Sequence, residues 1–126
     1  MGISSVTSSK NISWQEFANM ADELVERVEM RETPYKYVYP VSQGAIALAQ
    51  LVAQSIDAEV TTNQQYYGQA LKVALTNDRA ADACLVFYET DKYGGINIKP
   101  MFYVNSETVE QDTQRRTEYI WPWNNR

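Results

Sequence analysis

The stretch of chain over residues 35–56 constrains the fold most, because it joins two unlike runs through a tight turn. Residues 35–41 are aromatic and β-branched and predict a strand, whereas residues 45–56 are small and almost wholly apolar and predict a buried helix. The turn between them is Ser42-Gln43-Gly44. A strand followed at once by a buried helix is the repeating unit of α/β proteins. This stretch therefore indicates a parallel sheet covered by helices.

The rest of the chain continues this alternation. Residues 14–30 predict an amphipathic helix that begins at a capping box formed by Ser13 and Glu16. Residues 83–88 are apolar or aromatic throughout and predict a buried strand. Because Pro100 interrupts the strand expected at residues 96–104, we expect this strand at a sheet edge. The remaining expected elements are strands at 57–62 and 96–104, a loop at 63–68, a short helix at 69–75, a turn at 91–95, a loop or short exposed helix at 105–117 and an aromatic strand or loop at 119–123.

These elements predict one α/β domain over residues 12–126, with a mostly parallel sheet flanked by helices, after a flexible leader at residues 1–11. The chain has 126 residues, of which 44% are apolar, enough to bury the core of one ordinary domain. No apolar run approaches the ~20 residues needed to span a membrane, and the leader lacks the apolar core of a signal peptide. We therefore expect a cytoplasmic protein that does not contact membranes, in the host cytoplasm if the protein is viral.

Charge and residue usage exclude several classes of function. The formal net charge is -5, which disfavours extended nucleic acid as a partner because a phosphate backbone needs a basic face. The sequence has no histidine, so Ser-His and Cys-His nucleophile pairs and histidine zinc sites are excluded. The single cysteine, Cys84, lies in an apolar run and is expected to be a buried structural thiol. No metal site is predicted from the residues.

The turn at Ser42-Gln43-Gly44 is the one place where the pattern itself suggests a ligand. Backbone amides at the N-terminus of the helix that follows would favour an anion. A glycine is also a simple way to turn a chain, so a structural and a functional interpretation of the turn both stay open.

Three segments, taken in order, resemble small xanthine/hypoxanthine-type purine phosphoribosyltransferases, especially the viral ones. Residues 12–17, I-S-W-Q-E-F, are similar to the first helix of that family. Residues 37–45, Y-V-Y-P-V-S-Q-G-A, resemble its first strand and its pyrophosphate loop, usually written P-x-R-G-G. Residues 119–124, Y-I-W-P-W-N, resemble its closing W-I-x-x-P-W-E/D, and residues 81–104 fit its strand-turn-strand stretch near the base pocket.

The resemblance covers nearly the whole chain and implies the α/β fold of these enzymes, reduced in size. It also implies a homo-oligomer, with phosphoribosyl pyrophosphate, Mg²⁺ and a purine as the ligands of an active member. The residues that correspond to the pyrophosphate loop are Ser42, Gln43, Gly44 and Ala45. The loop arginine of the family is replaced here by Gln43, which can donate hydrogen bonds but cannot neutralise an anion.

The family's second motif, two acidic residues followed by a D-T-G-x-T phosphate loop, falls on residues 60–69. Thr61 and Thr62 stand where the acids should be, and Gly68 matches the loop glycine after a one-residue shift. A second alignment places the motif at residues 85–95 and keeps two acids, Glu89 and Asp91. It deletes the helix that should follow, so we prefer the first alignment.

The base pocket of the family is altered as well. Its base-recognising lysine falls on Glu89, with Lys92 nearby. Its base-stacking tryptophan falls on Glu118, or on Tyr119 after a one-residue slip. A tyrosine can stack on a purine, whereas a glutamate cannot.

The resemblance therefore implies a degenerate phosphoribosyltransferase-like protein. Phosphoribosyl transfer needs Mg²⁺, cationic and amide donors on the leaving pyrophosphate and carboxylates near the ribose. Losing one well-placed donor costs about 3 kcal/mol of transition-state stabilisation. The first hypothesis is a non-catalytic module that binds a purine nucleotide, phosphoribosyl pyrophosphate or another protein.

Two alternatives stay open. The first is a divergent, active pentosyltransferase that uses Mg²⁺ and relies on Glu89, Asp91 and Lys92. The second is a structural α/β interaction protein whose similarity to the family is due to chance. It would lack the anion-binding turn at Gln43 and Gly44.

Overall fold

The computed structural model of the chain describes residues 6–31, 34–90, 95–107 and 116–124. These residues form two helices and two sheets. The helices are α1 (Trp14–Glu29) and α2 (Ile46–Ile56). The strands are β1 (Val6–Asn11), β2 (Tyr37–Pro40), β3 (Glu59–Val60), β4 (Leu71–Ala74), β5 (Ala83–Tyr88), β6 (Phe102–Glu107) and β7 (Arg116–Ile120). Short 3-10 helices occupy Gln43–Ala45, Gln64–Gln69 and Pro122–Asn124.

The main sheet has five strands in the order β3-β2-β4-β5-β6, and every neighbouring pair is parallel. The expected α/β fold with a mostly parallel sheet flanked by helices is therefore confirmed. The strand order reverses at β2, because the next strand in sequence, β3, lies on one side of β2 and the following strand, β4, lies on the other. In open α/β sheets such a switch point is where ligands bind, beyond the carboxyl ends of the strands.

Helix α1 forms where the sequence predicts it. Ser13 Oγ accepts from the Glu16 amide at 3.0 Å, and Glu16 Oε1 accepts from the Ser13 amide at 3.3 Å, which completes the capping box. One face of the helix is buried against α2 and strands β5 and β6. Its buried residues are Phe17, Met20, Ala21, Leu24, Val25 and Val28. The main core lies between this face, α2 and one face of the sheet.

The other face of the sheet is covered differently. The connection from β3 to β4 returns across it through the short helix Gln64–Gln69. The Tyr66 ring of this connection stacks on Tyr37 with ring centroids 4.4 Å apart, and the Tyr67 ring meets Tyr39 edge-on at 5.0 Å. Lys72 Nζ lies 4.6 Å from the centroid of the Tyr67 ring. Stacked tyrosines and one cation thus replace a helix as the cover of β2 and β4.

The sequence prediction of a short helix at residues 69–75 is wrong. Leu71–Ala74 form strand β4, which pairs with β2 on one side and β5 on the other. Leu71 and Val73 are fully buried under the helices, while Lys72 between them faces Tyr67. Two strand neighbours and burial on alternate residues outweigh the local helix propensity of the sequence.

The prediction of a flexible leader at residues 1–11 is wrong for Val6–Asn11, which form strand β1. This strand pairs in parallel with β7 as a separate two-stranded sheet. Ser8 Oγ and Thr117 Oγ1 share a hydrogen bond of 3.1 Å across the pair. The residues of this strand are polar and Ser-rich, so their local sequence does not predict a strand. They form one because β7 supplies partners for their backbone hydrogen bonds.

The predicted strand at 96–104 is displaced in the structure. Strand β6 begins at Phe102, after Pro100, and continues to Glu107, so it takes in the first residues that were expected to form a loop or helix at 105–117. Its place at an edge of the sheet is confirmed. Of the turn expected at 91–95, residues 91–94 lie outside the described residues. Neither helix of the described chain is long and apolar enough to cross a membrane.

Replacing Phe17 with alanine tests the core. Phe17 is 1% exposed, and its ring packs edge-on against Trp121 at 6.2 Å and Trp123 at 5.2 Å. We expect Phe17→Ala to lower the free energy of unfolding by about 3–5 kcal/mol, measured by urea denaturation. Val60→Ala, at a site 38% exposed, is the control and should change it by less than about 0.5 kcal/mol. Equal effects of the two variants would contradict this assignment of the core.

Candidate functional site

The candidate site is the turn at residues 42–45, beyond the carboxyl end of β2. The Val41 amide donates to the Val73 carbonyl at 3.0 Å, so the chain stays beside β4 for one residue after β2 ends. It then turns through the short helix Gln43–Ala45 into α2. Ser42, Gln43 and Gly44 are exposed, and Ala45 is fully buried. The turn therefore lies at the switch point of the sheet, with its polar residues facing solvent.

The start of α2 has no side-chain cap. Neither Ser42 nor Ala45 makes a side-chain capping hydrogen bond. The Ala45 amide donates to the Ser42 carbonyl at 3.0 Å, and the Ile46 amide donates to the Gln43 carbonyl. A Cβ added at Gly44 would lie 3.5 Å from Leu75 Cδ1, which is an ordinary contact. Space alone therefore does not demand glycine here. Amides at the start of a helix that neither a side chain nor a backbone carbonyl satisfies favour an anion or water as their partner.

Thr61 and Thr62 lie at this same edge of the sheet, because they follow β3, which is parallel to β2. The Thr61 amide donates to the Val38 carbonyl at 3.0 Å, and Thr61 Oγ1 accepts from the Asn63 amide at 3.1 Å. Thr62 is exposed. The structure thus brings the two threonines to the edge of the sheet that carries residues 42–45. Their side chains are neutral, whereas carboxylates would be needed there to hold a ribose.

Gly68 is not at this edge. It lies at the far end of the connection Gln64–Gln69, three residues before β4 begins at Leu71. Its neighbours in that connection, Tyr66 and Tyr67, pack on Tyr37 and Tyr39. The segment that aligns with a phosphate loop therefore covers the sheet instead of lying beyond the carboxyl ends of the strands.

Glu89 and Tyr119, which the resemblance assigns to one base pocket, are on opposite faces of the sheet. Glu89 Oε1 accepts from Ser106 Oγ at 3.0 Å, and Tyr119 Oη donates to Glu107 Oε1 at 2.5 Å. Ser106 and Glu107 are successive residues of β6, so their side chains point to opposite faces. Asp91 and Lys92, the other members of the alternative site, lie outside the described residues.

Tyr119 holds β7 in place. Burial raises the pKa of its hydroxyl to about 12, and the hydrogen bond to Glu107 adds to the effect. Lys10 Nζ lies 5.9 Å from the centroid of its ring, and the Trp121 ring lies 5.8 Å away. A purine that stacked on Tyr119 would have to displace these neighbours, so the tyrosine acts as an anchor between the two sheets.

Tyr88 makes the second link between the sheets. Its hydroxyl donates to the Thr117 carbonyl at 2.6 Å, and the Arg116 guanidinium lies 5.0 Å from the centroid of its ring. Burial, followed by the negative charge of Glu118, raises the pKa of the Tyr88 hydroxyl. Because strands β5 and β7 are joined through this side chain, the two sheets form one structure at this end.

Asn77 is a structural residue that the sequence analysis missed. Its side-chain Nδ2 donates to the Tyr88 carbonyl at 2.7 Å, and its Oδ1 accepts from the Tyr88 amide at 2.8 Å. The amide group thus replaces the strand neighbour that β5 loses where β4 ends at Ala74. A lone asparagine shortly after a strand is the only sequence signal for this role.

The described residues offer neither a metal-binding cluster nor a reactive thiol. No group of three or more Cys, Asp or Glu side chains there could hold a metal ion. Cys84 is buried, and burial raises the pKa of its thiol to about 12. The thiol therefore stays protonated at neutral pH and is not a nucleophile.

Comparisons with known proteins do not assign a family. No protein-family model matches the chain, and no curated protein matches it significantly. The resemblance to phosphoribosyltransferases therefore remains a prediction from the residues named above.

The pKa of Tyr119 predicts how stability depends on alkaline pH. Because its folded-state pKa is about 12, above the ordinary value of 10.0, its contribution is complete below pH 10 and is lost as the pH rises through 12. We expect the free energy of unfolding to fall over this interval, and to fall less steeply in Tyr119→Phe. Urea denaturation at a series of alkaline pH values measures both slopes. Parallel slopes would show that Tyr119 is not the group responsible.

Proposed function

We propose that this protein is a non-catalytic α/β module that binds a small phosphate-bearing ligand, of the nucleotide or phosphoribosyl pyrophosphate class, at residues 42–45. The observation that carries the proposal is the position of this turn. It lies beyond the carboxyl end of β2, where the strand order of the sheet reverses. In open α/β sheets this is the usual place for a ligand.

The local chemistry of the turn supports an anion. The positive end of α2 lies here, without a side-chain cap at Ser42 or Ala45. Gln43 is exposed and can donate a hydrogen bond. Phosphate oxygens accept hydrogen bonds from backbone amides at helix N-termini and can accept from such a side chain as well.

The same chemistry argues against turnover. Residues 42–45 contain no cationic side chain, and the threonines after β3 are neutral. Neither the charge that develops on a leaving pyrophosphate nor the cationic sugar of the transition state would be balanced by these groups. Each missing donor costs about 3 kcal/mol, so we expect binding without efficient phosphoribosyl transfer.

A change of charge at Gln43 tests the binding site. We expect Gln43→Glu to weaken binding of phosphoribosyl pyrophosphate or a purine nucleotide by roughly tenfold or more, because a carboxylate beside a phosphate is repelled at short range. Isothermal titration calorimetry with and without Mg²⁺ measures this. Gln54→Glu makes the same charge change at an exposed position in the last turn of α2 and should leave binding unchanged. Equal weakening by both variants would indicate only the change in net charge.

Absence of catalysis is tested separately, by following consumption of phosphoribosyl pyrophosphate with Mg²⁺ and a panel of purines. We expect no consumption above the rate without protein. Mg²⁺-dependent consumption that is lost in Asp91→Asn would instead establish the divergent pentosyltransferase. Failure of every nucleotide and sugar phosphate to bind in calorimetry would overturn the proposal and favour a protein-interaction module.

A further inference from the structure

Two tyrosine rings are stacked closely on the face of the sheet that the helices do not cover. Tyr37 belongs to β2, and Tyr66 belongs to the connection Gln64–Gln69 that follows β3. Their ring centroids are 4.4 Å apart, and the ring planes are inclined to each other by 18°. Aromatic pairs in proteins usually have centroids about 4.5–7 Å apart. The two rings are therefore as close as stacked rings come.

The two stacked rings point in the same direction. Desolvation raises the pKa of the Tyr37 hydroxyl, and interaction with Tyr66 is the next cause. Hydroxyls on closely stacked rings lie next to each other only when both rings project the same way. Equivalent atoms of such rings are separated by about the distance between the centroids. The Cε carbon beside the hydroxyl of one ring therefore lies over the Cε carbon of the other.

Both rings can be reached from solution and can move. Tyr37 and Tyr66 are half-buried, and no residue of the connection Gln64–Gln69 is buried. A segment that buries no side chain can shift at little cost in free energy. The Tyr66 ring can therefore turn from contact through its face to contact through its edge while it stays beside Tyr37.

The neighbouring tyrosine pair has a different geometry. Of the ring contacts between described residues, two join one tyrosine to another. In the second of them, Tyr39 and Tyr67 meet at 90° with centroids 5.0 Å apart, so the edge of one ring points at the face of the other. Groups that are held in a reactive geometry react far faster than groups that must meet by diffusion. The aligned rings of Tyr37 and Tyr66 have this advantage, and the perpendicular rings do not.

We propose that Tyr37 and Tyr66 form a site of oxidative cross-linking, at which a one-electron oxidant, a peroxidase with hydrogen peroxide, joins the two rings as a dityrosine. Each phenol gives one electron to the oxidant and its hydroxyl proton to the solvent. The two phenoxyl radicals then form a bond between their Cε carbons. The hydrogen on each of these carbons moves to the oxygen of its own ring, which restores both phenols. In total the protein loses two hydrogen atoms, and one molecule of hydrogen peroxide is reduced to two molecules of water.

The first experiment treats the full chain, at low protein concentration, with a peroxidase and hydrogen peroxide. We expect a product of single-chain mass that has lost two hydrogen atoms and that shows the blue fluorescence of a biphenol. Cleavage after Lys36, Glu59 and Lys72 should leave two peptides joined to each other. Fragmentation of the joined peptides should place the link at Tyr37 and Tyr66. Absence of a link within one chain, or a link between other tyrosines, would overturn the proposal.

Phenylalanine variants distinguish the two tyrosine pairs. Tyr37→Phe and Tyr66→Phe keep a ring in the stack but remove the hydroxyl from which the radical forms, so each should lower the yield of the link by roughly tenfold or more. Tyr39→Phe is the matched control, because it removes a hydroxyl from the perpendicular pair on the same strand. It should leave the yield unchanged, and an equal loss in this variant would contradict the assignment. Circular dichroism before oxidation checks that each variant is folded.

The link should also stabilise the fold. It joins β2 to the connection that follows β3, and a cross-link that closes a loop restricts the unfolded chain. We expect the oxidised wild-type chain to unfold at a higher urea concentration than the untreated chain, whereas Tyr37→Phe after the same treatment should show no rise. A rise of equal size in both would assign the effect to oxidation elsewhere and contradict a link formed in the native arrangement.

Discussion

Burial of β5 on both faces is the constraint from which most of the structure follows. All six residues of Ala83–Tyr88 are buried. Leu85 faces the helices and the main core, while Cys84 and Phe87 lie under Tyr103 on the other face. A strand in this position can leave no backbone group unpaired, so it needs a neighbour on each side, and β4 and β6 supply them. Where β4 ends, the side chain of Asn77 completes the pairing at Tyr88.

Elements whose signals are local could be read from the sequence. The capping box of Ser13 and Glu16 and the apolar spacing of α1 lie within a few turns of one helix, so the pattern and the structure agree. The run at residues 83–88 could be assigned because a strand buried on both faces is apolar throughout. The edge position of β6 followed from Pro100, which cannot donate to a neighbouring strand.

Elements that depend on distant partners could not be read in this way. Leu71–Ala74 form a strand because β2 and β5 pair with them, and nothing within the segment shows that. For the candidate site, the strand-turn-helix pattern placed residues 42–45 correctly beyond β2. It could not show that Glu89 and Tyr119 point to opposite faces, because that depends on which residue of β6 each one meets.

The parallel pairing of β1 with β7 has a consequence for how the chain reaches its native state. Val6 is the partner of Arg116 and Asn11 is the partner of Ile120, so the contacts span almost the full sequence. During synthesis β1 leaves the ribosome before β7 and has no partner until β7 follows. Pairings of such long sequence separation close slowly, because the entropy of a long loop is lost before any contact compensates for it. Because β1 is rich in Ser and Thr, it can stay solvated and unpaired during this interval without aggregating.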